Sequence, residues 1–476
     1  MSLFDLLPET KGLLSKDILL NSITLNSLDV QKGDLFISIV DSRELQKKYI
    51  KEAISRGAAA VLTGLDIVHN SKVPVIFKQD LKQTLGNLSD AFYKSPSKEL
   101  ITFGITGTNG KSSIANYLFQ FKNNNGEKTG LISSISSKNS YFSKLTTPDI
   151  FSLNKIFSLA IQEKKKSLIF EVSSHAIHQK RIEGINFNYG CFSSFSRDHI
   201  DYHGSIKEYA KVKESFFKEN SFDSAVINID STTGKRIFRD NKNFVSLSSN
   251  QSNSDIFLEY KIEGSIIHTP WKKAFIPKNI FAKHIMMNLA ASMGLYYLSK
   301  ETDKLVDIDF KNLSGLPGRM EEIKIPFNQS CYIDYAHTPS ALKESLSSLK
   351  NKHKGNLICI FGCGGDRDKG KRALMGEIAS LIANQIIITS DNPRSEDPKK
   401  ISLDILKGIK KSENIDIILN RTKAIKNGLN LLKKSKKDSV LIVAGKGHET
   451  YQEIHGERSH FSDFVVTQNY LKQLHK

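Results

Sequence analysis

The sequence lacks long hydrophobic runs. Nowhere in its 476 residues is there an uninterrupted apolar stretch of about 18 residues, the length that a membrane-spanning helix needs. The first residues, MSLFDLLPETKGLL, contain no basic stretch followed by an apolar one, so we expect no secretory signal. These two absences predict a cytoplasmic protein that neither spans nor enters a membrane.

Cysteine is also scarce, with four residues in the whole chain. No two of them form a CxxC pair, and no histidines lie near them at zinc-finger spacing, so neither a zinc site nor a disulfide framework is expected. We predict reduced thiols, three of them in or beside buried strands and one in a glycine-rich turn, namely Cys191, Cys331, Cys359 and Cys363.

What the sequence has in excess is positive charge, with 68 basic and 50 acidic residues and a net charge of +18. Such a surface attracts polyanions. The densest basic runs, at 164–166 and 433–437, contain no interleaved aromatic residues and are typical of solvated faces. The charge is therefore compatible with nucleotide substrates, and we do not expect a nucleic-acid partner.

The length and the alternation of strand and helix patterns predict three α/β domains. Residues 1–99 form a small N-terminal α/β domain, and residues 100–316 a central P-loop ATPase domain with a mainly parallel sheet. Residues 317–476 form a Rossmann-like doubly wound domain. Helices are expected near 49–57 and from Lys111, and segment 246–271 is assigned no regular structure. Strands are predicted at 34–40, 58–64, 73–77, 100–105, 167–172, 190–195, 225–229, 331–335, 357–361, 385–390 and 439–444.

A glycine-rich loop joins the strand at 100–105 to the next helix. In GITGTNGKSS, backbone N–H groups and the helix N-terminus favour phosphate. Lys111 would reach the β- and γ-phosphates, and the hydroxyl of Ser112 would bind Mg²⁺. The usual P-loop glycine is replaced by Ile105, so we expect Gly104 and Gly107 to form the turn. The nucleotide-binding residues predicted here are Gly107, Thr108, Asn109, Gly110, Lys111, Ser112 and Ser113.

This GxxGTNGKS variant resembles the loop of the Mur ligase superfamily, which includes the folylpolyglutamate synthetases. The element Thr146-Thr147-Pro148-Asp149 is similar to one that contacts a muramoyl substrate in that family, although alone it is typical of a helix N-cap. The block EVSSH, which begins at Glu171, extends the likeness. The resemblance implies that UDP-muramoyl substrate is bound by Thr146, Thr147, Ser173, Gln179 and Arg181.

The same resemblance implies a site for two Mg²⁺ ions made by Ser112, Glu171, His199 and a carbamylated Lys213. A carboxylate at a strand end suits this hard cation. Lys211 competes with Lys213, and the family spacing from the tyrosine and phenylalanine on either side selects Lys213 as the N6-carboxylysine. One departure is Ser194, where relatives have asparagine, and a small local adjustment is expected there.

Further blocks resemble the family in the third segment. Arg319, in GLPGRME, is a candidate for neutralising transition-state charge, because a guanidinium suits phosphoryl oxygens. The resemblance also places Asn288, Asp334 and His337 at the nucleotide. Lys111, His199, Arg319 and Lys213 are thus the expected catalytic residues.

The sequence DNPR resembles the motif of the diaminopimelate-adding members, whereas lysine-adding relatives differ near the arginine. The amino-acid pocket implied by this likeness consists of Arg367, Asp391, Asn392, Pro393, Arg394, Gly445 and Glu449. The N-terminal segment matches less well. Its DSR triplet is replaced by Asn26-Ser27-Leu28, which keeps Ser27 as a substrate-binding candidate, and SRELQ replaces an HxxDG element.

The resemblance therefore implies a monomeric, ATP- and Mg²⁺-dependent amide ligase of peptidoglycan precursor synthesis. It would add meso-diaminopimelate to UDP-N-acetylmuramoyl-L-alanyl-D-glutamate through an acyl phosphate. One alternative is a lysine-adding or folylpolyglutamate-type ligase, which has the same chemistry with another nucleophile. Another is a non-catalytic nucleotide- or nucleic-acid-binding protein, which would release no ADP.

Overall fold

The computed structural model describes residues 1–67, 71–135, 140–261, 263–277, 283–300, 308–310, 312–326, 328–410 and 414–474. The described strands are β1 Ile23–Thr24, β2 Leu35–Ser38, β3 Ala60–Thr63, β4 Val75–Phe77, β5 Ile101–Thr106, β6 Thr129–Ser133, β7 Ser140–Phe142, β8 Ser167–Glu171, β9 Tyr189–Phe192, β10 Ser224–Asn228, β11 Val245–Ser248, β12 Ile256–Tyr260, β13 Gly264–His268, β14 Ala274–Pro277, β15 Glu321–Ile323, β16 Ser330–Asp334, β17 Leu357–Phe361, β18 Gln385–Ile388, β19 Ile415–Ile417, β20 Val440–Ala444, β21 Tyr451–Ile454 and β22 Glu457–His460.

The helices between these strands cover their faces, as expected of parallel sheets. They are α1 Leu3–Leu6, α2 Arg43–Ser55, α3 Leu81–Tyr93, α4 Lys111–Asn124, α5 Ile150–Gln162, α6 Ser174–His178, α7 Ile200–His203, α8 Ile206–Glu219, α9 Thr232–Arg239, α10 Lys283–Leu298, α11 Pro339–Lys352, α12 Gly370–Ile382, α13 Pro398–Leu406, α14 Arg421–Lys434 and α15 Asp463–Leu474. Within the described ranges, no helix is both long enough and apolar enough to cross a membrane.

The chain divides into two compact units, of which the first comprises residues 1–104 and 127–188. In it, β1 to β4 pair in sequence order as a parallel sheet. All four residues of β2 are buried, and so are all four of β3, which explains their continuous apolar sequences. Strands β6, β7 and β8 of this unit also pair in parallel, with β6 between the other two.

The second unit comprises residues 105–126 and 189–476. Strands β9 to β12 pair in parallel, and β13 and β14 continue from β12 as antiparallel strands. A separate six-stranded sheet has the order β15-β16-β20-β17-β18-β19, in which only β15 is antiparallel. Apolar clusters lie on both of its faces, one with α11 and α12 and the other with α14. The carboxyl ends of β16, β17, β18 and β20 therefore share one edge.

Most predicted strands are present with ends shifted by a few residues, but the prediction for 246–271 was wrong. That segment forms β11, β12 and β13. In β12 only Ile256 and Leu258 are buried, so the strand has a short alternating pattern within a polar stretch. The predicted helix at 49–57 begins earlier, at Arg43, because the hydroxyl of Ser42 caps it by accepting from Leu45 N.

Candidate functional site

The phosphate-type loop connects β5 to α4, and its shape depends on two glycines. Gly107 has φ +136° and Gly110 φ +89°, in the left-handed region. A Cβ at Gly107 would lie 2.0 Å from Ser193 Oγ, and one at Gly110 would lie 2.4 Å from Asn288 Oδ1. Gly104 lies inside β5, so the expectation that it forms the turn was wrong. Gly110 provides that freedom instead.

Neighbouring side chains fix the rest of the loop. The Thr108 hydroxyl donates to Ser196 O at 3.2 Å and accepts from Ser196 N at 3.1 Å. Ser194 accepts from Asn109 N at 3.0 Å and donates to Asn109 O at 3.1 Å. Ser194, which departs from the family pattern, thus binds both backbone groups of Asn109. Asn109 Nδ2 itself donates to Ser340 Oγ at 3.1 Å.

The two catalytic lysine candidates, which come from different helices, both donate hydrogen bonds to this part of the chain. Lys111 begins α4 and its Nζ donates to Gly107 O at 3.1 Å and Thr108 O at 2.8 Å. Lys213, on α8, is 1% exposed, and its Nζ donates to Thr106 Oγ1 and to Gly107 O, each at 2.9 Å. Lys211 instead has a 59% exposed side chain paired with Glu208. The structure therefore brings Lys213, and not Lys211, to the loop.

His199 follows β9 and adopts φ +54° at the start of α7. Its Nε2 lies 3.5 Å from an oxygen of the buried Asp198, which also lies 3.6 Å from His337 Nε2 and 3.5 Å from Lys371 Nζ. Burial opposes ionisation of Asp198, but His337 and the positive charge of Lys371 hold its pKa well below the usual range. Asp198 is thus a buried anion that joins two of the predicted site histidines.

A cleft of about 540 Å³ opens beside the loop and contains most of the other nucleotide candidates. Its lining includes Ser113, Asn288 and Arg319. The guanidinium of Arg319 lies 4.3 Å from the centre of the Tyr335 ring, and its buried Nε has no hydrogen-bond partner within the described ranges. Asp334 also borders the cleft.

Asp334 is engaged by the protein itself. One carboxylate oxygen accepts from Tyr335 N at 2.8 Å and Met320 N at 3.2 Å, and the other accepts from the Ser345 hydroxyl at 2.5 Å. It therefore fixes the backbone next to Arg319 in addition to bordering the cleft. Glu344, which sequence reasoning missed, lines the same cleft. Although the residue as a whole is exposed, loss of water around its carboxyl group together with the charge of Asp334 raises its pKa to about 6.

His448 is a second residue that sequence reasoning missed, although it lies inside the GKGHE block. Its ring lies 5.1 Å from that of Tyr335, and its Nδ1 is buried with no hydrogen-bond partner among the described residues. Burial and the positive charge of Arg319 lower the pKa of His448 to about 4, so the imidazole is neutral at pH 7.

The loop and the cleft fit a nucleotide phosphate chain. Neither Gly107 nor Gly110 tolerates a side chain, and α4 begins without a side-chain cap. Beside the cleft, the buried Nε of Arg319 lacks a hydrogen-bond partner in the part of the chain that the structure describes. Among the described residues no three His, Cys, Asp or Glu side chains cluster as a preformed metal site. Mg²⁺ is usually held by a few protein oxygens together with substrate phosphates, which suits the half-buried Ser112 at the start of α4.

The muramoyl-substrate candidates lie in the first unit and contact one another. The Thr147 hydroxyl donates to Glu171 O at 2.9 Å and accepts from Ser173 N at 3.0 Å. Arg181 donates to Thr147 O at 3.1 Å and to the side-chain oxygen of Gln179. Thr146 is adjacent and half-buried. The capping role predicted for this element is also present, because Asp149 caps α5.

Ser27, the remaining candidate in the first unit, is 5% exposed and donates to Glu52 Oε2 at 2.6 Å. Its hydroxyl therefore has a structural partner within the domain. Leu28, which replaces the family arginine, is 56% exposed.

The amino-acid candidates follow β17, β18 and β20 at the shared edge of the six-stranded sheet. Arg394 has φ +52°, and its Nη1 donates to Gly365 O at 2.7 Å. Pro393, one residue earlier, accepts from Glu396 N at 3.0 Å. A Cβ at Gly445 would lie 2.6 Å from Asp391 Oδ2, so Gly445 allows this close approach. Arg367 is at the surface, 3.6 Å from Asp201.

Glu449 and Asn392 are linked by a residue that sequence reasoning missed. Lys446 is 0% exposed, and its Nζ donates to Asn392 Oδ1 at 2.9 Å and Glu449 Oε2 at 2.8 Å. Asn392 Nδ2 donates to the same Glu449 oxygen at 2.9 Å. One oxygen of Glu449 is therefore balanced by a buried cation. The signal was present in the sequence, because Lys446 lies between the two glycines of the motif.

Two family models match the chain, the Mur ligase middle domain over residues 105–296 and the Mur ligase glutamate ligase domain over residues 318–447. The UDP-N-acetylmuramoyl-L-alanyl-D-glutamate--2,6-diaminopimelate ligase of Coxiella burnetii is 34% identical, covering 97% of each chain. The same-named protein of Bacillus cereus is 34% identical over 94% of this chain and 93% of its own.

Solved structures resemble this chain along almost its whole length. One UDP-N-acetylmuramoyl-L-alanyl-D-glutamate--2,6-diaminopimelate ligase structure has a TM-score of 0.64 at 29% identity, covering 96% of both chains. MurF ligase from Thermotoga maritima, in complex with ADP, has a TM-score of 0.68 at 17% identity, covering 97% of this chain and 99% of its own. The predicted three-domain α/β fold is confirmed, while the domain boundaries at 99 and 316 stay predictions.

Proposed function

This chain belongs to the Mur ligase family, and we propose that it joins meso-2,6-diaminopimelate to UDP-N-acetylmuramoyl-L-alanyl-D-glutamate, converting ATP to ADP and phosphate. The observation that carries this choice of nucleophile is the position of Arg394. It stands at the sheet edge beside Gly365, in a loop that Asn392 ties to Glu449. A guanidinium there suits a carboxylate that lysine does not have.

The reaction has two steps. The terminal carboxylate of the dipeptide attacks the γ-phosphate of ATP, giving an acyl phosphate and ADP. The amine of diaminopimelate then attacks the acyl carbon, and phosphate leaves from the tetrahedral intermediate. Lys111 and Arg319 stabilise the charge on the phosphoryl oxygens, and the backbone of Gly107 to Gly110 orients the phosphates. Asn288 and His337 belong to the same nucleotide site.

Ser112, Glu171, His199 and carbamylated Lys213 would hold two Mg²⁺ ions, which supply Lewis-acid charge at the phosphates. Carbamylation converts the Lys213 ammonium into an anionic oxygen donor. The burial of Lys213 beside the loop, where its Nζ donates to Thr106 Oγ1 and Gly107 O, supports this proposal. The UDP-muramoyl substrate is bound by Thr146, Thr147, Ser173, Gln179 and Arg181, and Ser27 is a further substrate-binding residue.

The diaminopimelate pocket consists of Arg367, Arg394 and Glu449, together with the loop from Asp391 to Pro393 and Gly445. Arg394 and Arg367 bind the distal carboxylate, and Glu449 receives the distal ammonium. We propose that the protein acts as a cytoplasmic monomer, with no nucleic-acid partner.

The test is amide formation from UDP-N-acetylmuramoyl-L-alanyl-D-glutamate, ATP and one amino acid at a time, with product mass and ADP both measured. The panel is meso-diaminopimelate, L-lysine, L-ornithine and L-glutamate. We expect product with meso-diaminopimelate at a kcat/KM at least about a hundredfold above that for L-lysine. Equal use of L-lysine would contradict the proposal. In a parallel assay with a folate in place of the UDP-muramoyl substrate, ADP release with the folate alone would assign the chain to another branch.

A further inference from the structure

Two short segments of the second unit contact each other through side chains of opposite charge. One follows β9 and contains Arg197, Asp198 and Asp201, and the other follows β17. Three ion pairs connect them, Arg197 to Asp368 at 2.7 Å, Asp198 to Lys371 at 3.5 Å and Asp201 to Arg367 at 3.6 Å. We name these three pairs the ion-pair clasp.

In the clasp, the geometry of the pair between Arg197 and Asp368 requires an arginine. Arg197 Nε donates to Asp368 Oδ2 at 2.7 Å and Nη2 donates to Oδ1 at 2.9 Å, a two-pronged geometry that a lysine cannot reproduce. Gly370 N donates to the same Oδ1 at 2.9 Å. A Cβ at Gly370 would lie 2.5 Å from Arg197 Nη2, so the absence of a side chain there makes room for the guanidinium.

Two of the three ion pairs contain a buried carboxylate, whereas the Arg197 side chain is 40% exposed and the Arg367 and Asp201 side chains are 44% and 25% exposed. The side chain of Asp368 is 5% exposed, and those of Asp198 and Lys371 are each 7% exposed. Exposed pairs contribute little, whereas removing one partner of a buried pair leaves an uncompensated charge. The buried carboxylates of Asp198 and Asp368 therefore depend on the cations that pair with them.

The clasp connects a segment assigned to phosphate chemistry with a segment assigned to amino-acid binding. Its first segment contains His199, on the phosphate side, and its second contains Arg367, on the amino-acid side. We propose that Arg197, Asp368 and Lys371 are positioning residues that hold the segment after β17, which contains Arg367, against the segment after β9, which contains His199. This inference rests on the proposed function and deepens it, because it names what keeps the amine within reach of the acyl phosphate.

The expected failure without the clasp is a specific one. If the amine is misplaced, water attacks the acyl carbon instead, and the acyl phosphate gives back the dipeptide carboxylate and phosphate. ADP is then released without amide. A merely structural contact would lower both products together, so the ratio of ADP to amide separates positioning from folding.

The experiment compares Arg197→Ala, Arg197→Lys and Asp368→Asn with the exchanged pair Arg197→Asp/Asp368→Arg. In the single variants we expect the KM for meso-diaminopimelate to rise about tenfold, or about 1.4 kcal/mol, and the ADP-to-amide ratio to rise from one to about three or more. The exchanged pair should recover much of both. Lys410→Ala is the control, because it removes an exposed ion pair with Glu377 elsewhere in the second unit.

Single variants with one ADP per amide and an unchanged KM would overturn the inference, as would an exchanged pair no better than the singles. Hydrogen exchange of segments 193–201 and 362–371 gives a readout independent of substrate, and we expect it to rise in both segments in Arg197→Ala. If the wild-type protein forms no amide with any amino acid, the proposed function fails. Unchanged exchange in Arg197→Ala overturns the clasp separately.

Discussion

The phosphate-type loop and the proposed diaminopimelate pocket both lie where strands end, yet they are built in different ways. The first depends on backbone conformation, through Gly107 and Gly110, within a few residues of chain. The second depends on side chains that meet from distant positions, as Asn392, Lys446 and Glu449 do. A short sequence motif is enough to predict a local backbone conformation. A pocket whose side chains come from separate loops can be recognised only in the folded structure, where those side chains meet.

The largest effect should come from Gly107→Ala, which tests whether the phosphate-type loop depends on its backbone conformation. The new Cβ would lie 2.0 Å from Ser193 Oγ at a φ of +136°, so the loop must move. We expect kcat/KM for ATP to fall by at least about a hundredfold, or about 2.7 kcal/mol. Gly126→Ala is the matched control, because Gly126 also has positive φ, +80°, but has open space around it. Similar losses in both variants would contradict this account.

Lys213→Ala should have the next largest effect, because it removes a buried group from the same loop. We expect turnover to fall by about a hundredfold and short-chain carboxylates to restore part of it, since they can replace an oxygen donor. Lys211→Ala, whose side chain is exposed, should retain nearly full turnover. Turnover and rescue are measured by ADP release. Mild and equal effects of the two substitutions would remove Lys213 from the metal site.

Arg394→Ala tests the proposed diaminopimelate pocket, which is assembled from separate loops. Lysine lacks the distal carboxylate, and each buried donor left unpaired costs about 1–3 kcal/mol. We therefore expect the KM for meso-diaminopimelate to rise by roughly a hundredfold and most of the preference over L-lysine to vanish. Arg458→Ala is the control, because Glu453 Oε2 lies 3.9 Å from Arg394 Nε and 3.3 Å from Arg458 Nη2, and the side chain of Arg458 is 63% exposed. Unchanged selectivity in Arg394→Ala would assign recognition to another residue.

The smallest effect concerns pH and Glu344. Its pKa in the folded protein is about 6 against an ordinary 4.5, so between these pH values the folded state keeps a proton that the unfolded chain releases. Stability then falls as pH rises through this window. Glu344→Gln should remove that decline, leaving the variant more stable than wild type at pH 7 but not at pH 4. Thermal unfolding of the wild type and the variant at pH 4 and pH 7 measures this effect. The same difference in stability at both pH values would contradict titration of Glu344 as its cause.

The sequence predicted what short-range rules control. The strand-loop-helix unit at β5 and α4 follows from apolar runs and glycines, and the burial of Lys213 agrees with the spacing used to choose it. It did not predict β12, where only alternate residues meet the core. Nor did it predict the buried Lys446 and Asp198, because an ion pair is defined by partners that the fold supplies. Their residue types alone favour a solvated surface position.

The four cysteines have a practical consequence for labelling. All of them are free and buried, and burial raises the pKa of each thiol, to about 12 for Cys331 and Cys363. Thiolate is the nucleophilic form, so maleimide reagents should pass over the native protein. A single cysteine introduced on the surface would then be the one reactive handle. Fluorescent dyes or spin labels could report on loop motion without any native thiol being removed.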